Sequence, residues 1–120
     1  MKDYKETFIV QKEDCISQLD SSLPSLLGTY TIVKWMEIVS AKNINQYLDV
    51  NKYITVGEQV CIEHIGMLKE DQEVEIVAHI MKEQKREIFF EIEAINDEKI
   101  IAKATHKRIK ISLKVLGKIL

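Results

Sequence analysis

Three side chains of this sequence have the types and the order needed for chemistry on an acyl group. Thr29 offers a hydroxyl, Glu37 a carboxylate and His64 an imidazole. A carboxylate can activate water or attack a carbonyl, a hydroxyl can position the reacting groups, and an imidazole can transfer protons. In combination the three residues therefore suit acyl transfer.

Each of the three residues also has a structural interpretation. Thr29, or Thr31 two residues later, could cap the helix that follows. A lone histidine on an apolar strand face, such as His64, is most often a hydrogen-bonded core residue. Glu37 stands in a helix that is otherwise almost entirely apolar, and Lys34, one turn earlier, could neutralise its charge. The sequence leaves both interpretations open for each residue.

The elements that must position these residues follow from the spacing of apolar side chains. Residues 30–48 carry apolar residues around nearly the whole helix circumference, which predicts a central buried helix. Before it, residues 4–12 predict a short strand, and residues 13–28 predict a loop with one short helical turn. After it, four segments alternate apolar and polar residues with period two, which predicts an antiparallel meander with one polar face. These segments are residues 53–68, 72–83, 87–95 and 100–113.

A helix that is apolar all round must be covered, and a sheet with one apolar face can cover it. The predicted fold class is therefore α+β, with an antiparallel sheet wrapped around one long central helix, which is the hotdog fold. A chain of 120 residues is long enough for one core but not for two, so we expect a single domain over residues 1–120. The alternation also places His64 on the core-facing side of its strand.

The charge distribution argues against nucleic acid as a partner. The formal net charge is −2, yet residues 99–120 carry seven basic residues and no acidic one. The rest of the chain carries ten basic and nineteen acidic residues, and the basic segment has no interleaved aromatic residues, so nucleic-acid binding is not expected. The basic segment fits either a local binding site for a phosphorylated ligand or the solvent-exposed face of a terminal strand.

Other features predict a cytoplasmic protein with no membrane contact. No segment approaches the ~20 apolar residues of a membrane span, and charges interrupt the first ten residues, unlike in a signal peptide. Cys15 and Cys61 have no metal-type or redox-type spacing, so we expect reduced thiols and no metal site.

Four short motifs stand in order along the chain. They are Gly28-Thr29 before the helix, Trp35-Met36-Glu37 within it, Val60-Cys61-Ile62-Glu63-His64 in the next strand and Ala104-Thr105-His106-Lys107-Arg108 in the last. In this order and at these intervals they resemble the fluoroacetyl-CoA thioesterase-like family of hotdog proteins, over most of the chain from Thr29 onward.

The resemblance implies hydrolysis of a small or medium acyl-CoA thioester to the free acid and CoA. It assigns the catalytic roles to Thr29, Glu37 and His64. It also places at Gly57 a backbone N–H that helps hold the thioester oxygen, a close approach that glycine permits. It implies no cofactor, because CoA is part of the substrate, and a homodimer with the active site at the interface.

The phosphates of CoA need cationic partners, for which Arg108 and the neighbouring Lys107 and Lys110 are candidates. Period-two alternation places Lys107 on the face opposite Arg108, so all three cannot reach one ligand.

Two other functions remain open on the same fold. A non-catalytic module that binds or senses acyl-CoA needs only the pocket and the basic C-terminal segment. An acyl-CoA hydratase or dehydratase is less favoured, because those enzymes usually place an Asp and a His close together near the start of the helix, and this chain has no such pair. Release of thiol from acyl-CoA distinguishes the hydrolase from both.

Overall fold

The computed structural model describes residues 2–120 and contains five strands, one long helix and one short C-terminal helix. The strands are β1 (Lys2–Ile9), β2 (Tyr53–His64), β3 (Glu73–Gln84), β4 (Glu87–Asn96) and β5 (Lys99–Ser112). The helices are α1 (Thr29–Asn45) and α2 (Leu113–Ile119), and two short 3-10 turns lie before α1, at Lys12–Asp14 and Ile16–Gln18. No helix within the described residues is long and apolar enough to cross a membrane.

The five strands form one antiparallel sheet in the order β1–β3–β4–β5–β2. The predicted meander is confirmed for β3, β4 and β5, whose connections are tight turns. In the β4–β5 turn both Asp97 and Glu98 have a positive φ, as a two-residue type I′ hairpin turn requires. The meander is wrong for β2, which crosses to the far edge and pairs with β5. One edge of β2 therefore has no neighbouring strand within residues 2–120.

Helix α1 packs across the inner face of the sheet, and the core lies between them. Its fully buried side chains include Ile32, Met36 and Val39, which belong to the same apolar cluster as Phe90 and Ile92 of β4. The predicted architecture, a sheet around one long helix, is confirmed.

The expectation that α1 is buried all round is wrong, because one face of the helix remains accessible. Lys34 is exposed, and the Glu37 side chain is 44% exposed. The apolar residues that suggested a fully covered helix include Tyr30, which is itself 43% exposed. The helix therefore offers a polar face to solvent or to a ligand.

Two contacts fix the orientation of α1 on the sheet. The Trp35 ring stacks on Phe8 of β1 with centroids 4.7 Å apart, and the buried Asn43 amide donates to the carbonyl of Ala78 on β3 at 2.9 Å. Both contacts lie on the β1–β3 side of the sheet. They leave Glu37 facing the other side, towards β2.

Candidate active site

The first polar cluster joins the start of α1 to the end of β2. Thr29 Oγ1 lies 2.7 Å from His64 Nδ1, so one of these atoms donates a hydrogen bond to the other. The N-cap of α1 is Gly28, and no side chain caps the helix there. The capping role expected for Thr29 or Thr31 is therefore wrong, since the Thr31 hydroxyl donates to the Asp14 carbonyl instead.

The other ring nitrogen of His64 has no hydrogen-bond partner within residues 2–120. Nε2 is shielded from solvent and forms no hydrogen bond to any residue that the structure describes. A shielded polar atom of this kind costs free energy unless a group from outside satisfies it. A core histidine with both nitrogens satisfied does not fit this geometry. In the Thr29–His64 pair, His64 Nε2 is therefore available to exchange a proton with a ligand.

Glu37 lies in a second cluster, on the face of α1 that turns towards β2. Its carboxylate lies directly over Gly57, where an added Cβ atom would overlap Glu37 Oε1. Its ion-pair partner is Arg108, whose Nη1 lies 3.7 Å from Oε1, and Lys34 forms no ion pair within residues 2–120. Glycine at position 57 therefore leaves the carboxylate in the space that a side chain would occupy.

Arg108 organises this second cluster from a buried position, with 6% of its surface exposed. Its Nε donates to Thr55 Oγ1 at 2.9 Å, and its Nη2 donates to the Thr55 carbonyl at 3.0 Å. Burial lowers the pKa of Arg108, although the nearby Glu37 carboxylate opposes that shift. The guanidinium remains a cation, because arginine is not deprotonated in proteins. Arg108 is thus a fixed positive charge beneath the Glu37 carboxylate.

His106 completes the network around Arg108. Its Nδ1 donates to the Gln59 carbonyl at 2.8 Å, so its Nε2 can accept from Arg108 Nη1 at 3.2 Å. Burial lowers the pKa of His106, and the charge of Arg108 lowers it further against the opposing effects of Gln59 and Glu37. The ring is therefore neutral at pH 7. The motifs predicted no role for His106, although its shared parity with Arg108 on β5 is a signal that places both side chains on the inner face.

The two clusters lie at different places in one chain. Gly57 and His64 are seven residues apart on β2, about 23 Å at the usual rise of a strand. Thr29 and Glu37 are about 12 Å apart along α1. The structure brings Thr29 together with His64, and Glu37 together with Gly57, but a single chain does not join these pairs into one site.

The three cations expected to hold phosphates have different surroundings. Arg108 is buried in the second cluster. Lys107 lies on the opposite face of β5, where its Nζ pairs with Glu58 at 2.6 Å and with Glu87 at 3.2 Å. Lys110 forms no ion pair in the described part of the chain and is partly accessible. Of the three, Lys110 is the cation that remains available to an anionic ligand.

The cysteines and the acidic residues do not assemble into a metal centre. In residues 2–120, no group of three or more His, Cys, Asp or Glu side chains is arranged to hold a metal ion. Cys15 is buried and Cys61 is exposed, and both are free thiols. Burial raises the pKa of the Cys15 thiol, which is therefore protonated at pH 7.

Comparison with known proteins gives one family match along the sequence. A family model described as fluoroacetyl-CoA-specific thioesterase matches residues 10–114. No curated protein sequence matches at a significant level. The match spans both clusters described above.

Solved structures share the fold at low sequence identity. The fluoroacetyl-CoA thioesterase FlK is 19% identical with a TM-score of 0.87, over 98% of this chain and 90% of that chain. A thioesterase superfamily member from Thermus thermophilus is 19% identical with a TM-score of 0.88, over 98% of this chain and 86% of that chain. A hot-dog-like protein from Thermanaerovibrio acidaminovorans is 13% identical with a TM-score of 0.88, over 97% and 85%.

These matches confirm the hotdog fold and the family that the four sequence motifs predicted. The family model covers most of the chain, including Thr29, Glu37, Gly57 and His64. The chain therefore belongs to the fluoroacetyl-CoA-specific thioesterase family, a family of thioester hydrolases.

Proposed function

We propose that this protein hydrolyses a small or medium acyl-CoA thioester to the free acid and CoA. Family membership supports the reaction class, and a point mutant of the related FlK is described in complex with acetyl-CoA. The observation that carries the proposal is the 2.7 Å contact between Thr29 Oγ1 and His64 Nδ1. It joins residues far apart in sequence and leaves the shielded His64 Nε2 without a partner.

In this proposal the full site needs two copies of the chain. β2 pairs with β5 on one side only, so its other edge can pair with β2 of a second copy. His64 faces inward, and so does Gly57, because a bulge between Gly57 and Gln59 shifts the alternation. In this proposal the two β2 strands run antiparallel, with Cys61 of one chain opposite Cys61 of the other. The inward faces of both strands then lie on the same side of the joined sheet. His64 lies opposite the bulge, beside the partner subunit's Gly57.

Each active site of this homodimer is shared between the two subunits. One protomer contributes Thr29 and His64, and the second cluster comes from the other chain as the partner's Glu37 and the partner's Gly57. In the proposed dimer, the Thr29–His64 pair of one chain lies next to the Glu37–Gly57 pair of the other, although these pairs are far apart within a single chain. This arrangement also uses the accessible side of the carboxylate, which is 44% exposed in a single protomer.

The thioester carbonyl would lie between the two pairs. The partner's Glu37 activates a water molecule that attacks the carbonyl carbon, or attacks that carbon itself. The N–H of the partner's Gly57 donates to the carbonyl oxygen as negative charge develops there. When the carbon–sulfur bond breaks, the His64 imidazolium donates its Nε2 proton to the departing sulfur and becomes a neutral imidazole, whose Nδ1–H donates to Thr29 Oγ1. In the water route, the proton that the carboxylate takes from water returns to His64 and replaces the proton given to CoA. In the direct route, the anhydride between the partner's Glu37 and the acyl group is then hydrolysed by water, which releases the acid, restores the carboxylate and supplies the same proton.

Thiol release from a panel of short-chain and medium-chain acyl-CoAs tests this reaction. Glu37→Ala and His64→Ala should each lower kcat/KM by about 10²-fold or more, as expected for the loss of an acid–base group. Lys34→Ala is the matched control, because Lys34 is exposed one turn away on the same helix. No turnover above background, or an undiminished rate in Glu37→Ala, would contradict the proposal. Tight acyl-CoA binding without turnover would support the non-catalytic binding module instead.

Cys61 reports on the proposed strand pairing. In a β2 pair centred on Cys61, the two thiols lie opposite each other at a spacing that a disulfide can bridge, about 4.4–6.8 Å between Cα atoms. Cys61 is exposed and free, whereas Cys15 is buried. Mild oxidation should therefore produce a covalent dimer that Cys61→Ser abolishes. A protein that stays monomeric in solution and gives no such dimer would contradict the shared site.

Free thiols also fit the reducing cytoplasm, where we propose that the reaction takes place.

A further inference from the structure

Two adjoining recesses at the end of the sheet, beside α2, are lined by basic side chains. Their volumes are about 310 and 360 Å³, and both are lined by Tyr53 and Ser112, so the two recesses adjoin and are here together called the basic groove. Five basic residues line it: Lys52, Lys85, Arg86, Lys110 and Lys114. They come from the segment before β2, the β3–β4 turn, β5 and α2, so the fold gathers charges from four parts of the chain.

The protein does not neutralise the charges of the basic groove. Among the described residues that line it, none is acidic, and none of its five cations forms an ion pair within residues 2–120. Two other lysines of β5 do have carboxylate partners: Lys107 pairs with Glu58, and Lys103 lies 4.0 Å from Glu63. Like charges held together repel one another, and a bound anion relieves that repulsion. The basic groove therefore has the electrostatics of an anion site rather than of an ordinary lysine-rich surface.

The basic groove includes side chains on the same face of β2 and β5 as the Glu37 cluster. Tyr53 and Gly57 both face inward on β2, four residues apart, or about 13 Å at the rise of a strand. On β5, Arg108 pairs with Gly57 and Lys110 pairs with Thr55, so both side chains lie on this same face. The Lys110 ammonium lies 4.1 Å from the centre of the Tyr53 ring. A ligand that reacts at Gly57 can therefore extend along β2 and place a charged end in the basic groove.

We propose that the basic groove binds the phosphates of CoA while the thioester end of the molecule occupies the catalytic site. This inference rests on the proposed thioesterase function. CoA carries its diphosphate and 3′-phosphate at the end of the pantetheine arm opposite the sulfur. Lysine ammonium groups and the Arg86 guanidinium suit phosphate oxygens, and the Tyr53 ring offers a face for the adenine. Lys110 keeps the role predicted from the sequence, and the other four cations are additions to it.

Charge reversal at Arg86 tests whether the basic groove contributes to the binding of acyl-CoA rather than to the chemical step. Arg86 is exposed in the β3–β4 turn, and Lys99, exposed at the opposite β4–β5 turn, is its matched control. Arg86→Glu should raise KM for an acyl-CoA by about tenfold with little change in kcat, whereas Lys99→Glu should not. Neither variant should change KM for the same acyl group on pantetheine, which has no phosphate. An unchanged KM for acyl-CoA in Arg86→Glu, or an equal rise with acyl-pantetheine, would overturn the inference.

Direct binding separates a failure of the basic groove from a failure of the catalytic proposal. Calorimetry with CoA and with adenosine 3′,5′-bisphosphate needs no turnover. The wild type should bind both, more weakly at high salt, and Arg86→Glu should weaken both by about tenfold while Lys99→Glu does not. Wild-type affinity in Arg86→Glu would overturn the groove and leave the thioesterase proposal standing. Loss of affinity in Arg86→Glu would support the groove even if no acyl-CoA were hydrolysed.

Discussion

Replacing Gly57 by alanine should lower the catalytic activity and leave the fold intact. The added Cβ would overlap Glu37 Oε1 and would lie 3.2 Å from His106 Cε1. His106 is buried and held at both ring nitrogens, so it can yield only slightly. The Glu37 carboxylate must therefore leave its place over β2.

The cost of this change to stability should be small. The Glu37 side chain is 44% exposed, so its carboxylate can rotate into solvent and lose a partly exposed ion pair worth about 1 kcal/mol or less. Gly57 does not have a positive φ, so alanine adds no backbone strain and restricts the unfolded chain, a gain of about 0.4–1 kcal/mol. The free energy of unfolding should thus change by less than about 1 kcal/mol.

The cost to activity should be large, because displacing a catalytic group by about 1 Å costs roughly 10²-fold. We expect kcat/KM of Gly57→Ala for its best acyl-CoA to fall at least about 10²-fold in a thiol-release assay. Gly117→Ala is the control, because a Cβ there meets nothing within 4 Å, and it should keep the wild-type rate. Wild-type kcat/KM in a folded Gly57→Ala would refute the placement of Glu37 at the reacting centre.

Two further predictions concern charged groups that the fold holds in place. Arg108→Met leaves the buried His106 Nε2 without its donor, so the free energy of unfolding in urea should fall by about 1–3 kcal/mol, and unchanged stability would contradict the network. Burial alone lowers the pKa of His79, but the carboxylates of Asp3 at 2.7 Å and Glu93 at 3.5 Å outweigh it and raise that pKa. Because the folded pKa exceeds the unfolded value of about 6.5, this stabilisation is complete below that pH and is lost as the pH rises through the folded pKa. Asp3→Asn should therefore destabilise the protein more at about pH 5.5 than at about pH 8.5 in thermal unfolding, and the reverse order would argue against the His79 interaction.

Most of the secondary structure was predictable because its signals are local. The bounds predicted for β3, β4 and β5 agree with the structure to within one residue, since one face of each strand packs on the core and the other is wet. The predicted end of β2 was too late, because Ile65 and Met67 continue the apolar pattern although they are 55% and 77% exposed in a loop. Short α2 was not predicted, since its apolar residues extend the pattern of β5.

The contacts that define the site were less predictable, because they join distant parts of the chain. Sequence proximity suggested Lys34 as the partner of Glu37, but Arg108 is the cation that the fold brings there. The pairing of β2 with β5 decides that contact, and no local pattern reports it. The motifs grouped Thr29, Glu37 and His64 as one set; the fold brings Thr29 and His64 into contact and places Glu37 in a separate cluster of the same chain.

Mixing two inactive variants tests the shared active site most directly. Glu37→Ala keeps the Thr29–His64 pair, and His64→Ala keeps the cluster of Glu37 and Gly57, so a heterodimer of the two has one complete site. Random exchange between equal amounts makes half of the dimers heterodimers, and about a quarter of the wild-type thiol-release rate should return. Native mass spectrometry verifies that subunits have exchanged. Heterodimers that form but recover no activity above the separate variants would contradict a site built from both subunits.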